Sequence, residues 1–150
     1  MPLTASGHPC HTRMLEIEVV AGDAGRVQAR GSIVDLRKTG FVPMLSDVQN
    51  AGFVHHMKID LDIDARTREV VAVRVAQPYV AIEATAATGG ECCRDPVDRL
   101  LALEGERLEP RFARRVSELF GGASGCSHLL TLGQTLGRAL PAALDAEATA

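Results

Sequence analysis

The stretch Met57-Lys58-Ile59-Asp60-Leu61-Asp62-Ile63 alternates apolar and charged side chains without a break. A period of two fits a strand with one face in a core and the other in water, so a sheet must lie at the centre of the fold. Two further segments repeat the pattern: Leu15, Ile17 and Val19 alternate with Glu16 and Glu18, and Val27, Ala29, Gly31 and Ile33 alternate with Gln28, Arg30 and Ser32. The turn residues Gly22-Asp23-Ala24-Gly25 between them join the two as a hairpin. Past Arg66 and Thr67, a run carrying Val71, Val73 and Val75 stops at Gln77-Pro78 and completes a second hairpin. Four antiparallel strands are therefore expected over residues 13–76. Residues 39–52, with Gly40, Pro43, Asp47 and Asn50, read as a loop over the sheet.

After Tyr79 the period changes. Residues 85–90 are small and glycine-rich, a flexible loop by composition. Asp95 as N-cap and Pro96 in the first helical position predict a helix over 96–104 that ends at Gly105. Pro110 opens a second helix over 110–120, with Phe112, Val116, Leu119 and Phe120 at helical spacing and Gly121-Gly122 as its stop. A third, over 127–140, carries Leu129, Leu132, Leu136 and Leu140 before Pro141. Because the strands precede the helices instead of alternating with them, the expected class is α+β: a four-stranded antiparallel sheet of two hairpins with three helices packed on it. The single domain is expected over 13–140, between a flexible N-terminus at 1–12 and a flexible tail at 141–150.

Several function classes are excluded. A net charge of −3, one Tyr and no Trp leave neither a basic footprint nor stacking platforms, so nucleic acid and anionic membranes are not expected partners. Neither a dinucleotide fingerprint nor a P-loop follows any strand, which leaves acid/base, thiol or metal chemistry and predicts no nucleotide cofactor. Asp60, Asp62 and Asp64 mimic the opening of a calcium loop but sit in a strand pattern without glycine at the sixth position. No apolar run reaches the length of a membrane span, and residues 1–13 lack the pattern of a secretory signal, so a cytoplasmic protein is expected, with Cys10, Cys92, Cys93 and Cys126 as thiols.

Gly125-Cys126-Ser127-His128-Leu129 is the sharpest local feature. A thiol at a helix start meets unpaired N–H groups and the positive dipole end, and an imidazole two residues on could stabilise its thiolate if Cys126 sits at or before the cap. The ordinary alternative is a Cys126 that packs inward beside a capping or solvated His128. His55 and His56 precede the best strand, and only one of them can face inward. Two histidines with two cysteines, among Cys92, Cys93 and Cys126, would make a tetrahedral zinc site, although no C-x₂-C pair is present.

These positions resemble a bacterial family of unknown function, numbered 2889, over most of residues 11–140. The features that carry the resemblance are His11-Thr12-Arg13, Asp35-Leu36-Arg37-Lys38, His55-His56-Met57, Pro78-Tyr79, Leu103-Glu104-Gly105, and Gly121-Gly122 with Gly125-Cys126-Ser127-His128-Leu129. Residues 81–91 look like an insertion, which leaves open whether Cys92 or Cys93 is the family cysteine. The resemblance implies that Arg13, Asp35, His55, Cys126 and His128 share one pocket, and it supplies no activity.

The leading expectation is a small enzyme, a lyase or isomerase acting on a small organic acid, with aromatic catabolism as one setting. His55 or His128 moves a proton, Cys126 belongs to the same catalytic group, and Asp35 orients an imidazole or an arginine. Arg13 or Arg37 holds a substrate carboxylate, and Tyr79 joins them in binding. The alternative is a zinc- or iron-binding or redox accessory protein with His55, Cys93, Cys126 and His128 as ligands. A third reading is a non-catalytic homodimer that pairs through the leucines of the last helix.

Overall fold

The computed structural model describes residues 11–37, 52–86, 88–90, 92–123 and 125–147. Four strands, β1 (His11–Ala21), β2 (Arg26–Arg37), β3 (Gly52–Asp64) and β4 (Val70–Tyr79), pair antiparallel in the order β1-β2-β3-β4. A 3₁₀ helix (Val97–Leu103) and two α-helices, α1 (Pro110–Phe120) and α2 (Ser127–Glu147), follow. This is the expected α+β arrangement. The loop expected over 39–52 lies outside the described residues, except that Gly52 already begins β3.

Each hairpin turn has an identifiable cause. In the first, Ala24 and Gly25 both take positive φ, and Arg26 N–H donates to the Asp23 carbonyl at 3.1 Å, the geometry whose twist matches that of the strands it joins. In the second, the Asp64 carboxylate accepts from Thr67 N–H at 2.7 Å. That carboxylate thus serves the turn.

The inner face of the sheet carries Ile33, Met57, Ile59, Leu61 and Ile63, all at most 1% exposed, against Phe112, Phe120 and the leucines of α2. Gly31 lies under α2, where an added Cβ would come within 2.9 Å of a Leu132 methyl, so the helix rests directly on β2 because that position has no side chain. β1 is an edge strand: Ile17 and Val19 are half-buried, but Leu15 is exposed. Leu129, Leu132, Leu136 and Leu140 fill this chain's own core, so the expected leucine face is not available to a second copy.

Three local expectations need correction. The element after Pro96 is a 3₁₀ helix with Pro96 itself at the cap, because the Asp95 carboxylate accepts from Cys92 N–H at 2.9 Å and so closes the preceding turn instead of capping a helix. The last helix does not end before Pro141 but runs to Glu147, so most of the expected flexible tail is helical. Proline removes one backbone bond there, and burial of Leu144 together with the Arg68–Asp145 ion pair offsets that loss. Finally, β1 begins at His11, inside the stretch expected to be flexible, and β4 runs past Gln77-Pro78 to Tyr79.

Candidate functional site

β2 continues its inward phase past the apolar core, so that Val27, Ala29, Gly31 and Ile33 are followed by Asp35, a carboxylate 1% exposed. Strand register places Arg13 of β1 and His55 of β3 on either side of it. Arg13 donates to both carboxylate oxygens, from Nε at 2.7 Å and from Nη2 at 2.8 Å, and His55 Nδ1 lies 3.1 Å from Oδ2. The fourth member comes from α2: His128 Nε2 stands 2.8 Å from the same Oδ2, and the two imidazole centroids are 3.9 Å apart. His11 Nε2 is 3.6 Å from Oδ1 at the more exposed rim.

The approach of α2 depends on the glycine turn before it. Gly122 takes φ +79°, and a Cβ on Gly125 would sit 1.9 Å from the Phe120 carbonyl oxygen. Only glycine fits position 125, and the chain then delivers Cys126 to the start of α2, where its carbonyl accepts from Leu130 N–H at 2.9 Å. Cys126 and His128 line the same cavity wall at the start of α2. Cys126 is thus at the cap, the position its proposed chemistry requires.

The surroundings push these groups in different directions. Burial raises the Asp35 carboxyl, but hydrogen bonds from Arg13 and His128 hold it well below the usual range, so it is an anion at neutral pH. Burial, aided by the charge of His128, lowers His55 to about 4 and keeps it neutral. His128 is shifted up by its hydrogen bond to Cys126, against its burial and with help from Asp35. Burial pushes the Cys126 thiol up, yet the His128 side chain and the Leu129 and His128 N–H groups bring it below its ordinary value. Arg13 Nη2 also lies 2.8 Å from His128 Nε2. The raised His128 favours an Nε2–H that donates to Asp35, with Arg13 bound to the carboxylate.

His55, Cys126 and His128 open onto a cavity of about 550 Å³, which Cys92, Cys93 and Arg99 also line. Asp35 lies behind the imidazoles. The structure therefore brings together His55, His128, Cys126, Asp35 and Arg13. Arg13 is engaged by Asp35, so its expected role of holding a substrate carboxylate is replaced by one of holding Asp35. Arg37 ends β2 away from the cavity lining. Tyr79 is on the other face of the sheet, stacked on Phe53 at 4.8 Å, and Phe53 also stacks on His56 at 6.0 Å. A register shift opposite Asp35 and Leu36 pairs Phe53 with Leu36 and leaves Val54 over, which gives neighbouring rings to opposite faces. Sequence reasoning missed Arg99 at the cavity and His11 beside Asp35. The shared parity of His11 and Arg13 on β1 could have found the latter.

Among the described residues, Asp35, His55 and His128 form a group whose ligand atoms lie within 4.8 Å of one another. Cys93 and Cys126 are not part of it, which departs from the expected ligand set. A cation there would have to share Asp35 with a guanidinium that already binds both oxygens. Cys92, Cys93 and Cys126 are free thiols, and Cys10 lies outside the described residues. No helix among the described residues is long and apolar enough to cross a membrane.

The family described as "Protein of unknown function (DUF2889)" matches residues 11–141. No curated protein and no solved structure matches the chain.

Proposed function

The chain belongs to this family of unknown function, so its chemistry has to be argued from the site, and we propose that it is a small cytoplasmic enzyme, a lyase or isomerase, that moves a proton on a small organic acid. One observation carries the reading: two imidazoles 3.9 Å apart share one buried carboxylate, while their surroundings push them in opposite directions. A neutral base beside an acid held above its ordinary value is a pairing suited to proton transfer.

In this reading His55 takes a proton from the carbon next to a carboxylate, and His128 gives one to the atom that receives negative charge. His55 uses Nδ1 on Asp35, which leaves Nε2 for the cavity. Asp35 and Arg13 are positioning residues: the carboxylate fixes both rings, and the guanidinium fixes the carboxylate. The substrate carboxylate is held by positive charge at the cavity wall, from Arg99 and the start of α2. A small molecule is the expected partner, since a net charge of −3 offers nothing to phosphate backbones or anionic membranes. The free thiols fit a reducing compartment.

The test is deuterium exchange from heavy water into the carbon next to the carboxylate of small acids such as succinate, followed by NMR. His55→Gln should slow exchange by roughly 10²-fold or more without unfolding the chain. Equal exchange in wild type and variant would end the proposal.

The compact group of Asp35, His55 and His128 favours a second reading, a zinc- or iron-binding accessory protein. Elemental analysis of untagged protein separates the two, because stoichiometric metal lost on His55→Gln belongs only to the second.

A further inference from the structure

Proton transfer by two imidazoles leaves one reactive group of the site unused, the Cys126 thiol. Three thiols border the cavity, and they are not equivalent. The Cys92 sulfur is engaged elsewhere, 3.7 Å from the Glu83 carboxylate and 3.5 Å from the Arg94 N–H. Burial raises Cys93. Cys126 alone stands two residues from an imidazole on the same cavity wall, and that imidazole is oriented by Asp35, which is itself fixed by Arg13. A nucleophile, a neighbouring base and a third group that orients the base make up the arrangement by which thiols are activated. Cys126 also sits at the cap of a long helix, where burial pushes its thiol up but His128 and the first N–H groups of the helix bring it below its ordinary value.

We propose that Cys126 is a catalytic nucleophile whose sulfur adds to the β-carbon of an α,β-unsaturated carboxylic acid, with His128 as its proton partner. The inference rests on the acid/base reading above and names its substrate class. A lyase that eliminates next to a carboxylate, or an isomerase that works on such a product, handles an alkene conjugated to the carboxylate. That alkene is a soft electrophile, and a thiolate is the soft nucleophile that matches it. In the forward step the S–Cβ bond forms, the π pair moves to Cα, and His128 delivers its proton to Cα. The Cα–Cβ bond is then single and free to rotate. In the reverse step an imidazole removes the proton from Cα, the double bond re-forms, and the S–Cβ bond breaks to return the thiolate. The net result is a geometric isomer of the substrate, with no oxidant or reductant consumed.

The charged and titratable groups that face Cys126 are His128, backed by Asp35 and Arg13, and, across the cavity, His55, Cys92, Cys93, Asp95 and Arg99. Among these, His128 does most to favour the thiolate, so its removal should return the thiol to ordinary behaviour.

The experiment uses the full chain and two probes. Iodoacetamide labelling at pH 6.5, read by peptide mass spectrometry, should modify Cys126 roughly 10-fold or more faster than Cys92 or Cys93, and His128→Gln should erase that advantage. Excess maleate should leave a thioether on Cys126 and form fumarate, and Cys126→Ser, which keeps an oxygen at the helix cap, should do neither while retaining its helical spectrum. Labelling of Cys126 no faster than its neighbours, or fumarate formed equally by Cys126→Ser, overturns the proposal. Succinate carries no alkene, so its deuterium exchange in the wild-type chain reads the acid/base step separately. Exchange without a maleate adduct overturns this inference alone, whereas an adduct without exchange overturns the acid/base reading alone.

Discussion

Ile33 and Asp35 are two residues apart on one strand, point to the same side and are equally buried, yet they belong to different kinds of interior. Ile33 pairs across the sheet with Leu15 and Met57 and belongs to the apolar cluster that the helices complete. Asp35 pairs with Arg13 and His55 and meets His128. The backbone is the same in both places, so the difference lies in what each interior contributes. The apolar end stabilises the fold through area removed from water, with little dependence on pH or salt. The ionic end gains little from burial, since desolvation opposes every charge there, and its value is in fixing protonation states.

Core truncation should give the largest effect and mark the apolar end. Phe112→Ala, fully buried between the sheet and α2, should cost about 3–5 kcal/mol by urea unfolding, with the same loss at pH 5 and pH 8. A cost that changed with pH would blur the contrast.

The ionic end should announce itself through pH. His55 has a folded pKa of about 4 against an ordinary 6.5, so the unfolded chain binds its proton first. The stability that a neutral His55 contributes is complete above pH 6.5 and is lost as the pH falls to about 4, a change of about 3 kcal/mol. His128, shifted up, works the other way: its contribution is complete below its ordinary value and is lost as the pH rises through the raised one. Stability should therefore peak between the two limbs, and His55→Gln should flatten the acid limb alone.

Asp35→Asn keeps the shape but removes the charge. The half-exposed Arg13 can return to water, so the cost should be roughly 1–3 kcal/mol at pH 7 and should shrink in acid, while turnover collapses because both imidazoles lose the anion that orients them. An Asp35→Asn chain of full activity would show that the row is only a structural ion pair.

The periodic elements were legible because burial acts on every second residue of a strand. The same rule makes Asp35 readable as an inward residue, since it follows Ile33 in phase. What period could not reveal was local. The leftover Val54 turns Phe53 outward to the face of His56, and a second register shift, between His56 and Lys58, sets Tyr79 opposite His56, so the expected substrate-binding Tyr79 ends on the far face. Arg13 was readable as an anion binder, but nothing in sequence said that the anion was Asp35. Pro141 signalled a helix end, and a buried Leu144 beyond it carried the helix on. Gly121-Gly122 reads as a stop signal, and only the structure shows that the glycines at 122 and 125 bring Cys126 to the start of α2 at the cavity wall.

The smallest effect belongs to the solvent face of the same sheet. Arg74 binds both oxygens of Asp62 at 2.9 and 3.0 Å, a geometry as close as that of Arg13 on Asp35, but in water. Arg74→Ala should cost under about 1 kcal/mol, and less in high salt.

The most direct test of the central claim is an NMR titration of the ring nitrogens of His55 and His128. Two imidazoles on one carboxylate should titrate far apart, with His55 remaining neutral down to about pH 4 and His128 keeping its proton above the ordinary histidine value. If both rings titrated together near that ordinary value, burial at His55 and the Cys126 thiol beside His128 would not separate acid from base, and the account of this site would fail.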